Sequence, residues 1–416
     1  MREVLLTDIS VGDRIRIEKD GRDYTGILMP SHRFSGDDTI TLKLDNGYNI
    51  ALRVTPEDDV LLLESGDKKE DKNMDLPDIR EGLPHISILA TGGTIASYVD
   101  YNTGAVHPAQ TAEEMIYSNP ELAERCYPSV KILFSKLSED IEPENWTTIA
   151  DKVIEEFRSG AEGVVIAHGT DTLGYTSAAL SFLLKDLPGP VVLVGSQRSS
   201  DRPSSDASLN LLAAVDVAKE DLSGVYVVMH ENLNDDRCSI HLGTKVRKMH
   251  TSRRDAFRSV NTEPVGWVDP EEEKVELKDV PRRNNRTPKR TGDINEDVST
   301  LYVYPGVDES RLHAEADGLV LIGTGLGHVP TKLIPSIKKL VDDDIPVVIA
   351  SQCLYGTVNC NVYSSGRILA DTGVISGDDM LPETALVKLM WALTLNEDVR
   401  DTMGKNIAGE FAERRW

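Results

Sequence analysis

The chain has 416 residues, a hydrophobic fraction of 40% and a formal net charge of −24. Its length predicts two or three domains, and its hydrophobic content is enough to fill their cores. The strong negative charge argues against unassisted binding to nucleic acid, because the phosphates would be repelled.

The cysteines and histidines give little support for a disulfide or metal site. The four cysteines have neither metal-ligand nor disulfide spacing, which is typical of proteins from a reducing cytosol. The nine histidines form no HxxxH pair. No apolar run reaches membrane-spanning length. We therefore expect a cytoplasmic protein with no metal site and no membrane contact.

The N-terminal part of the chain has the pattern of a small β-rich unit. Residues 1–63 contain short alternating apolar and polar runs, separated by the Asp-Gly and Asn-Gly dipeptides of tight turns. This pattern predicts a small all-β, barrel-like domain of a kind that binds or positions a partner. Residues 64–84 are rich in charge and nearly free of apolar side chains, which predicts a linker.

From residue 85 the pattern changes to strands that alternate with helices. Apolar runs predict strands at 163–168, 191–195 and 225–229, and helical spacing predicts helices at 143–157, 173–185 and about 206–219. Near-continuous Val/Ile strands alternating with helices indicate a parallel sheet covered on both faces. We therefore predict an α/β domain over 85–300.

The first α/β domain is expected to end in a connecting segment, and a second α/β domain is expected over 301–416. The connecting segment contains a basic run at 282–290. The sequence beyond it predicts strands at 318–322 and 346–350 and helices near 331–343, 382–395 and 397–406.

Polar side chains that could carry chemistry follow the predicted strands. Thr94 comes directly after two glycines, with Tyr101 a few residues further on. The other candidate loops are HGTDT at 168–172, KVRKMH at 245–250 and GTGLGH at 323–328. Because open α/β sheets place ligands at the carboxyl ends of their strands, these loops are candidates for a shared site.

Threonine, aspartate and lysine in neighbouring loops form a coherent set for acyl transfer. A threonine hydroxyl is a poor nucleophile at neutral pH and needs a base. A partly buried lysine can accept that proton, and an aspartate can hold the lysine in place. Glycines beside Thr94 would free backbone N–H groups to stabilise an oxyanion.

Each candidate also has an ordinary structural interpretation. Thr170 and Asp171 could form a helix N-cap with an acidic first turn. Lys248 could be a solvated surface charge. His168 is better explained as a packed, hydrogen-bonded residue than as a base. The loop at 323–328 lacks both the lysine and the glycine spacing of a phosphate-binding loop.

Two segments resemble the signature motifs of the asparaginase/glutaminase amidohydrolases. They are ATGGTIA at 90–96 and HGTDT at 168–172, and the stretch from 195 to 210 is similar to that family as well. The resemblance covers about residues 85–410. It implies an asparaginase-like fold of two parallel-sheet domains and a dimeric active site that uses two threonines.

The resemblance also implies individual roles. Thr94 matches the nucleophile of the first motif, and Tyr101 matches the tyrosine of the flexible loop after it. Thr170 and Asp171 match the pair in the second motif, and Lys248 matches the lysine that completes the second triad.

A substrate-binding element is implied at Ser138 and Glu139. These residues lie where the family has a Ser-Gln-Asp-like element, and Glu139 stands in place of its glutamine. This departure leaves the choice between glutamine and asparagine open.

The unit at 1–63, the linker at 64–84 and the segment at 246–257 resemble the D subunits of archaeal glutamyl-tRNA(Gln) amidotransferases. This resemblance implies a homodimer that hydrolyses glutamine and assembles with the E subunit of the amidotransferase into a heterotetramer. The E subunit would bind Glu-tRNA(Gln), use ATP and Mg and receive the ammonia, while this chain would bind no cofactor. The acidic balance agrees, because a subunit that does not hold tRNA needs no basic face.

The sequence therefore predicts the glutaminase subunit of a tRNA-dependent amidotransferase, which supplies ammonia for converting Glu-tRNA(Gln) to Gln-tRNA(Gln). Two alternatives remain: a free-standing L-asparaginase with an accessory domain, and a non-catalytic scaffold subunit. The basic run at 282–290 is expected to be a solvated loop, with contact to RNA or to the partner as the alternative.

Overall fold

The computed structural model describes most of the chain. The described residues are 6, 9–30, 36, 38–45, 48–66, 80, 82–92, 95, 97–99, 106–108, 112–199, 202, 204–312 and 315–412. The sequence-predicted residues Thr94 and Tyr101 lie outside them.

The N-terminal unit is a five-stranded antiparallel sheet. Its strands are β1 Arg14–Lys19, β2 Arg22–Leu28, β3 Thr39–Leu44, β4 Asn49–Arg53 and β5 Asp59–Glu64. They are arranged in the order β4-β3-β2-β1-β5 around a core of buried isoleucine, leucine and valine side chains, such as Ile15 and Ile40. The strand β5 lies at one edge, and its leucines Leu61, Leu62 and Leu63 are 46%, 37% and 44% exposed.

The middle of the chain forms an α/β domain. Its strands are β6 His85–Ala90, β7 Ser97–Val99, β8 Val106–Pro108, β9 Tyr127–Ile132, β10 Gly163–Ala167, β11 Leu184–Lys185, β12 Pro190–Val194, β13 Gly224–His230, β14 Cys238–Leu242, β15 Val246–Lys248, β16 Phe257–Ser259, β17 Gly266–Asp269, β18 Lys274–Leu277 and β19 Lys289–Arg290. Its helices are α1 Ala112–Ser118, α2 Leu122–Arg125, α3 Pro143–Arg158, α4 Leu173–Leu183 and α5 Ala207–Lys219.

The main sheet has the order β18-β17-β14-β13-β12-β10-β6-β9. The strands from β9 to β13 in that order are parallel, as predicted, whereas β14, β17 and β18 extend the sheet in antiparallel fashion. The sequence does not reveal this extension, because β17 and β18 are short and carry charged residues, unlike the continuous apolar strands that parallel sheets require.

The helix α4 ends earlier than predicted. It ends at Leu183, and Leu184 and Lys185 form a short strand that pairs with Arg290 and Lys289. The Leu184 N–H still closes the last helical turn on the Leu180 carbonyl, but the chain then leaves the helix to pair with a distant segment, which a local pattern does not reveal.

The C-terminal domain is built on a parallel four-stranded sheet. Its elements are β20 Val298–Tyr302, β21 Gly318–Gly323, α6 Ile334–Asp342, β22 Val347–Ser351, α7 Ser364–Ala370, β23 Ile375–Ser376, α8 Pro382–Ala392 and α9 Val399–Gly404. The strand order is β20-β21-β22-β23. The predicted strands near 318 and 346 are the two central strands, and the predicted helices are present but somewhat shorter.

The two α/β domains share one apolar core. The helices α4 and α8 pack against each other, and the rings of Phe182 and Trp391 stack with their centroids 5.6 Å apart. The same buried cluster contains Ile166 on β10 and reaches Val320 on β21. This continuous core packs the two domains against each other at the density of a protein interior.

Candidate active site

The candidate site lies where four neighbouring parallel strands end. The strands β12, β10, β6 and β9 are adjacent in the sheet, and each is followed by one of the segments singled out in the sequence. Carboxyl ends of neighbouring parallel strands lie at the same edge of a sheet, so the fold gathers these segments.

Lys248 connects the two residues of the second motif. Its Nζ lies 2.9 Å from Thr170 Oγ1 and 2.8 Å from Asp171 Oδ1. Thr170 is buried, the Lys248 side chain is 15% exposed, and the Asp171 side chain is 63% exposed. The structure therefore brings together the three residues that the sequence placed in one set, and the Lys248 amine donates hydrogen bonds to both the hydroxyl and the carboxylate.

Two glycines allow the second motif to pack this tightly. A Cβ on Gly195 would lie 2.7 Å from Thr170 Cγ2, and a Cβ on Gly169 would lie 2.7 Å from Ser138 Cβ. Both distances are shorter than real Cβ contacts, so a larger residue at either position would push the threonine loop out of place.

Ser138 supports the second motif, whereas its neighbour Glu139 is exposed. The Asp171 N–H donates to Ser138 Oγ at 3.3 Å, and the Thr172 hydroxyl donates to the Ser138 carbonyl at 2.6 Å. Ser138 is 5% exposed, and Glu139 is an exposed residue of the same short helical turn. Ser138 therefore lies beside Thr170 and Asp171, and its hydroxyl has a partner already.

A chain of hydrogen bonds behind the site holds His168. Trp146 Nε1 donates to Thr176 Oγ1 at 3.1 Å, and the Thr176 hydroxyl lies 3.0 Å from His168 Nε2. His168 Nδ1 lies 2.6 Å from the Gly169 carbonyl. Since a carbonyl only accepts, Nδ1 carries the proton and Nε2 accepts from Thr176.

Burial keeps His168 neutral. The side chain is fully buried, and desolvation lowers its pKa to about 4, against a smaller opposing effect of the Gly169 carbonyl. The packed role predicted for His168 is therefore what the structure shows. Its partners Trp146 and Thr176 could not be identified from the sequence, because helical spacing alone marks them only as core residues.

The loop after β12 is held by a buried carboxylate. Asp206 accepts hydrogen bonds from the backbone N–H groups of Gln197 and Arg198, and Asn210 Nδ2 donates to the Gly195 carbonyl at 3.0 Å. His230 Nδ1 lies 2.6 Å from Asn210 Oδ1, which fixes the amide in turn. This network fixes the backbone that packs against Thr170.

The loop after β6 is described through its first glycine, Gly92, and again at residues 95 and 97–99. Thr91 donates from both its N–H and its hydroxyl to the Ala167 carbonyl, which ties this loop to the second motif. Gly92 has φ +108°, and a Cβ there would lie 2.2 Å from the Lys136 carbonyl oxygen. A glycine is therefore required at the point where the chain leaves the strand towards Thr94.

The glycine-rich loop at 323–328 is a tight turn within the C-terminal domain. Thr324 and His328 exchange backbone hydrogen bonds, and the Ser351 hydroxyl donates to the Gly325 carbonyl at 2.5 Å. These contacts belong to its own domain, and none of the hydrogen bonds described for this loop reaches Lys248.

The described residues contain no group of three His, Cys, Asp or Glu side chains that could hold a metal ion. Over the same part of the chain, every helix is too short or too polar to cross a bilayer.

Comparisons with known proteins cover nearly the whole chain. The family model for the N-terminal asparaginase domain matches residues 85–283, the model for the glutaminase/asparaginase C-terminal domain matches 297–403, and the model for the GatD N-terminal domain matches 9–63. Solved structures of similar fold include the thermostable L-asparaginase from Thermococcus kodakarensis, with a TM-score of 0.72, 35% identity and coverage of 79% of this chain and 100% of that one. L-asparaginase I from Vibrio cholerae has a TM-score of 0.67, 30% identity and coverage of 79% and 99%.

Relatives of full length are more similar still. The D subunit of glutamyl-tRNA(Gln) amidotransferase from Pyrococcus abyssi is 49% identical over 417 residues, which is 97% of this chain and 95% of that protein. The protein of the same name from Methanobrevibacter smithii is 46% identical over 418 residues, with coverage of 98% and 95%.

The protein is an asparaginase-type amidohydrolase. This class is defined here by the two matched asparaginase domains and by Lys248, which contacts both Thr170 and Asp171. The full-length matches go further, and the chain belongs to the family of glutamyl-tRNA(Gln) amidotransferase D subunits. The expected family, fold class and activity class, an amidohydrolase within a glutamyl-tRNA(Gln) amidotransferase, are confirmed by these matches.

Proposed function

We propose that this chain hydrolyses the side-chain amide of glutamine and passes the ammonia to a partner subunit that amidates Glu-tRNA(Gln). The observation that carries the proposal is the pair of contacts from Lys248 Nζ, to Thr170 Oγ1 at 2.9 Å and to Asp171 Oδ1 at 2.8 Å. A hydroxyl, an amine and a carboxylate in this order suit proton transfer during acyl transfer.

The proposed reaction has two steps. In the first, the Thr94 hydroxyl attacks the amide carbon, the C–N bond breaks, and ammonia leaves with the proton of the hydroxyl. In the second, water attacks the resulting ester and releases glutamate. Lys248, held by Asp171, moves the proton through Thr170 in one of these steps, either from the nucleophile or from the water.

The basic run at 282–290 supports the assignment of tRNA binding to the partner. Arg286 and Lys289 both lie 3.3 Å from the Asp186 carboxylate, and Arg290 Nε lies 3.0 Å from Asp151 Oδ1. Arg283 donates to backbone carbonyls of the same chain, including that of Glu220 at 2.7 Å. The run is solvated, as expected, since the Arg286 and Lys289 side chains are 71% and 56% exposed, and these cations pair with a carboxylate of the same domain.

The proposed assembly is a cytoplasmic heterotetramer of two copies of this chain and two copies of the E subunit. ATP and Mg would be used by the E subunit, and this chain would bind no cofactor. Membership of the D-subunit family supports a complex with other subunits. The name of these relatives supports Glu-tRNA(Gln) as the substrate of the assembled enzyme.

The test is glutamine and asparagine hydrolysis by the purified chain, alone and with the E subunit and Glu-tRNA(Gln). We expect weak glutaminase activity alone and a higher rate in the full assembly. Lys248→Met should lower kcat by about 10²–10⁴-fold, the range for loss of general acid–base catalysis. Lys338→Met is the matched control, since Lys338 pairs with Asp342 on α6 at 2.7 Å and both side chains are exposed.

Each alternative predicts a different result. Fast asparagine hydrolysis by the chain alone would favour a free-standing L-asparaginase. Absence of hydrolysis in every condition would favour a non-catalytic scaffold. Equal activity of Lys248→Met and the wild-type chain would refute the assigned site.

A further inference from the structure

The strand that carries Lys248 is attached to the C-terminal domain by a buried ion pair. Lys245, next to the start of β15, is fully buried, and its Nζ lies 2.6 Å from Asp379 Oδ2 and 3.1 Å from the Asp379 carbonyl oxygen. Asp379 belongs to the loop before α8. The residue that touches Thr170 and Asp171 is therefore only three positions from an anchor in the other domain.

Neighbouring side chains of the same segment make further contacts with that domain. Arg247 Nε lies 3.3 Å from Glu383 Oε1 on α8. The Thr384 hydroxyl donates to the Thr244 carbonyl at 2.8 Å. Because side chains alternate along an extended strand, Lys245 and Arg247 point to one side, while Val246 and Lys248 point to the other. One side of the segment therefore contacts the C-terminal domain, and the other side faces Thr170 and Asp171.

Asp379 is itself held from several directions. Its carboxylate accepts the Ala412 N–H at 3.2 Å, and its carbonyl accepts Asn261 Nδ2 at 3.1 Å. Its position therefore depends on the C-terminal segment of the chain and on the loop that follows β16.

A buried lysine–carboxylate pair is not an efficient way to stabilise a fold. Desolvation of both charges offsets much of their attraction, and well-packed apolar residues often serve stability better. Desolvation lowers the pKa of Lys245, and Asp379 opposes this effect. The pair instead provides structural specificity, because its short contacts fix the position of β15 relative to α8.

We propose that Lys245 and Asp379 are positioning residues, through which the C-terminal domain sets the place of Lys248 Nζ relative to Thr170 and Asp171. The proposal rests on the proposed function for its catalytic consequence, and on the contacts of β15 for its structural part. The described polar contacts of the Lys248 side chain are those with Thr170 and Asp171, and they include no buried ion pair like that of Lys245.

The chain offers a matched control at the same junction. Lys388 and Glu410 form another fully buried pair, with Nζ 2.6 Å from Oε1, and neither residue forms a described hydrogen bond or ion pair with β15. Their link to the Lys245 segment is indirect, through Ala408, whose N–H donates to Glu410 and whose carbonyl accepts from Thr244. The test compares Lys245→Met/Asp379→Asn with Lys388→Met/Glu410→Gln. Each double variant removes both charges of one buried pair, so neither leaves an uncompensated charge.

Two measurements decide the proposal. The first is the extent of acetylation of the Lys248 amine by a trace of acetic anhydride, quantified by peptide mass spectrometry in the full-length chain. We expect labelling to rise in Lys245→Met/Asp379→Asn and to stay at the wild-type level in the control pair, because a displaced Lys248 amine loses the Thr170 and Asp171 contacts that hold it and becomes more accessible to the reagent. The second is kcat and KM for glutamine, with kcat expected to fall about tenfold and KM to stay within about twofold.

A single variant checks for rescue. Lys245→Arg keeps a cation that reaches Asp379, and it should recover most of kcat and of the wild-type labelling. Equal Lys248 labelling in the two double variants would overturn the proposal, even if both were less stable than the wild-type chain. If the wild-type assembly does not hydrolyse glutamine, the proposed function fails, whereas the labelling result still decides the positioning role.

Discussion

Lowering the pH from about 7.5 to about 4.5 should destabilise the wild-type chain more than a His168→Gln variant. His168 is fully buried between Thr176 and the Gly169 carbonyl, and its pKa falls from 6.5 in the unfolded chain to about 4 in the fold. Between these two values the unfolded chain binds more protons than the folded chain. Stability is therefore present above the unfolded pKa and is lost as the pH falls towards the folded pKa.

The size of this effect follows from the two pKa values. A difference of one pKa unit corresponds to about 1.4 kcal/mol, so a shift from 6.5 to about 4 corresponds to a stabilisation on the order of 3 kcal/mol, most of which is lost by pH 4.5. A glutamine at this position can donate to the Gly169 carbonyl and accept from Thr176, but it does not titrate. The comparison concerns the dependence of stability on pH, so a different starting stability of the variant does not affect it.

The assay is urea unfolding of both chains at several pH values, followed by tryptophan fluorescence. Trp146 is a suitable reporter because its indole N–H belongs to the same hydrogen-bonded chain as His168. Titration of carboxylates and of His241 acts on both proteins alike. The reasoning is refuted if the free energies of unfolding of the two chains fall in parallel over this range.

Two further predictions concern backbone space and surface charge. Gly92→Ala should destabilise the chain by roughly 1–3 kcal/mol and reduce amide hydrolysis, because the added Cβ would clash with the Lys136 carbonyl. Gly160→Ala is the control, since Gly160 also has a positive φ of +97° but has open space around it, so this variant shows the effect of backbone strain alone. Equal shifts in melting temperature for the two variants would contradict the predicted clash. Arg286→Gln/Lys289→Gln should change the rate of tRNA-dependent amidation by less than about twofold, since both cations are paired within the chain. A salt-sensitive loss of about tenfold would instead assign RNA contact to this run.

The parts of the fold that were predictable from sequence are those with a strong local signal. The strands β10 and β12 are continuous runs of buried apolar residues, and the helix α3 has a proline at its start and regular apolar spacing. The set of Thr170, Asp171 and Lys248 could be proposed from residue types, because an acyl-transfer site needs a hydroxyl, a base and an orienting carboxylate.

The contacts that hold the site together were not predictable in this way. Lys245 and Asp379 are separated by 134 positions, and a lysine in a polar segment has no local feature that marks it as buried. The same holds for Trp146 and Thr176, which a helical pattern identifies only as core residues. These pairs are set by the packing of α4 against α8 and of α3 against α4, and such packing is decided by the whole chain.

The edge strand β5 has a consequence for the behaviour of the chain in solution. Three adjacent exposed leucines on an edge strand form a template for strand pairing between molecules. Asp59 and Glu64 lie at its two ends, and the net charge of −24 repels one copy from another. Salt screens this repulsion but leaves the leucines unchanged, so concentrated solutions of the chain should become turbid as the ionic strength rises.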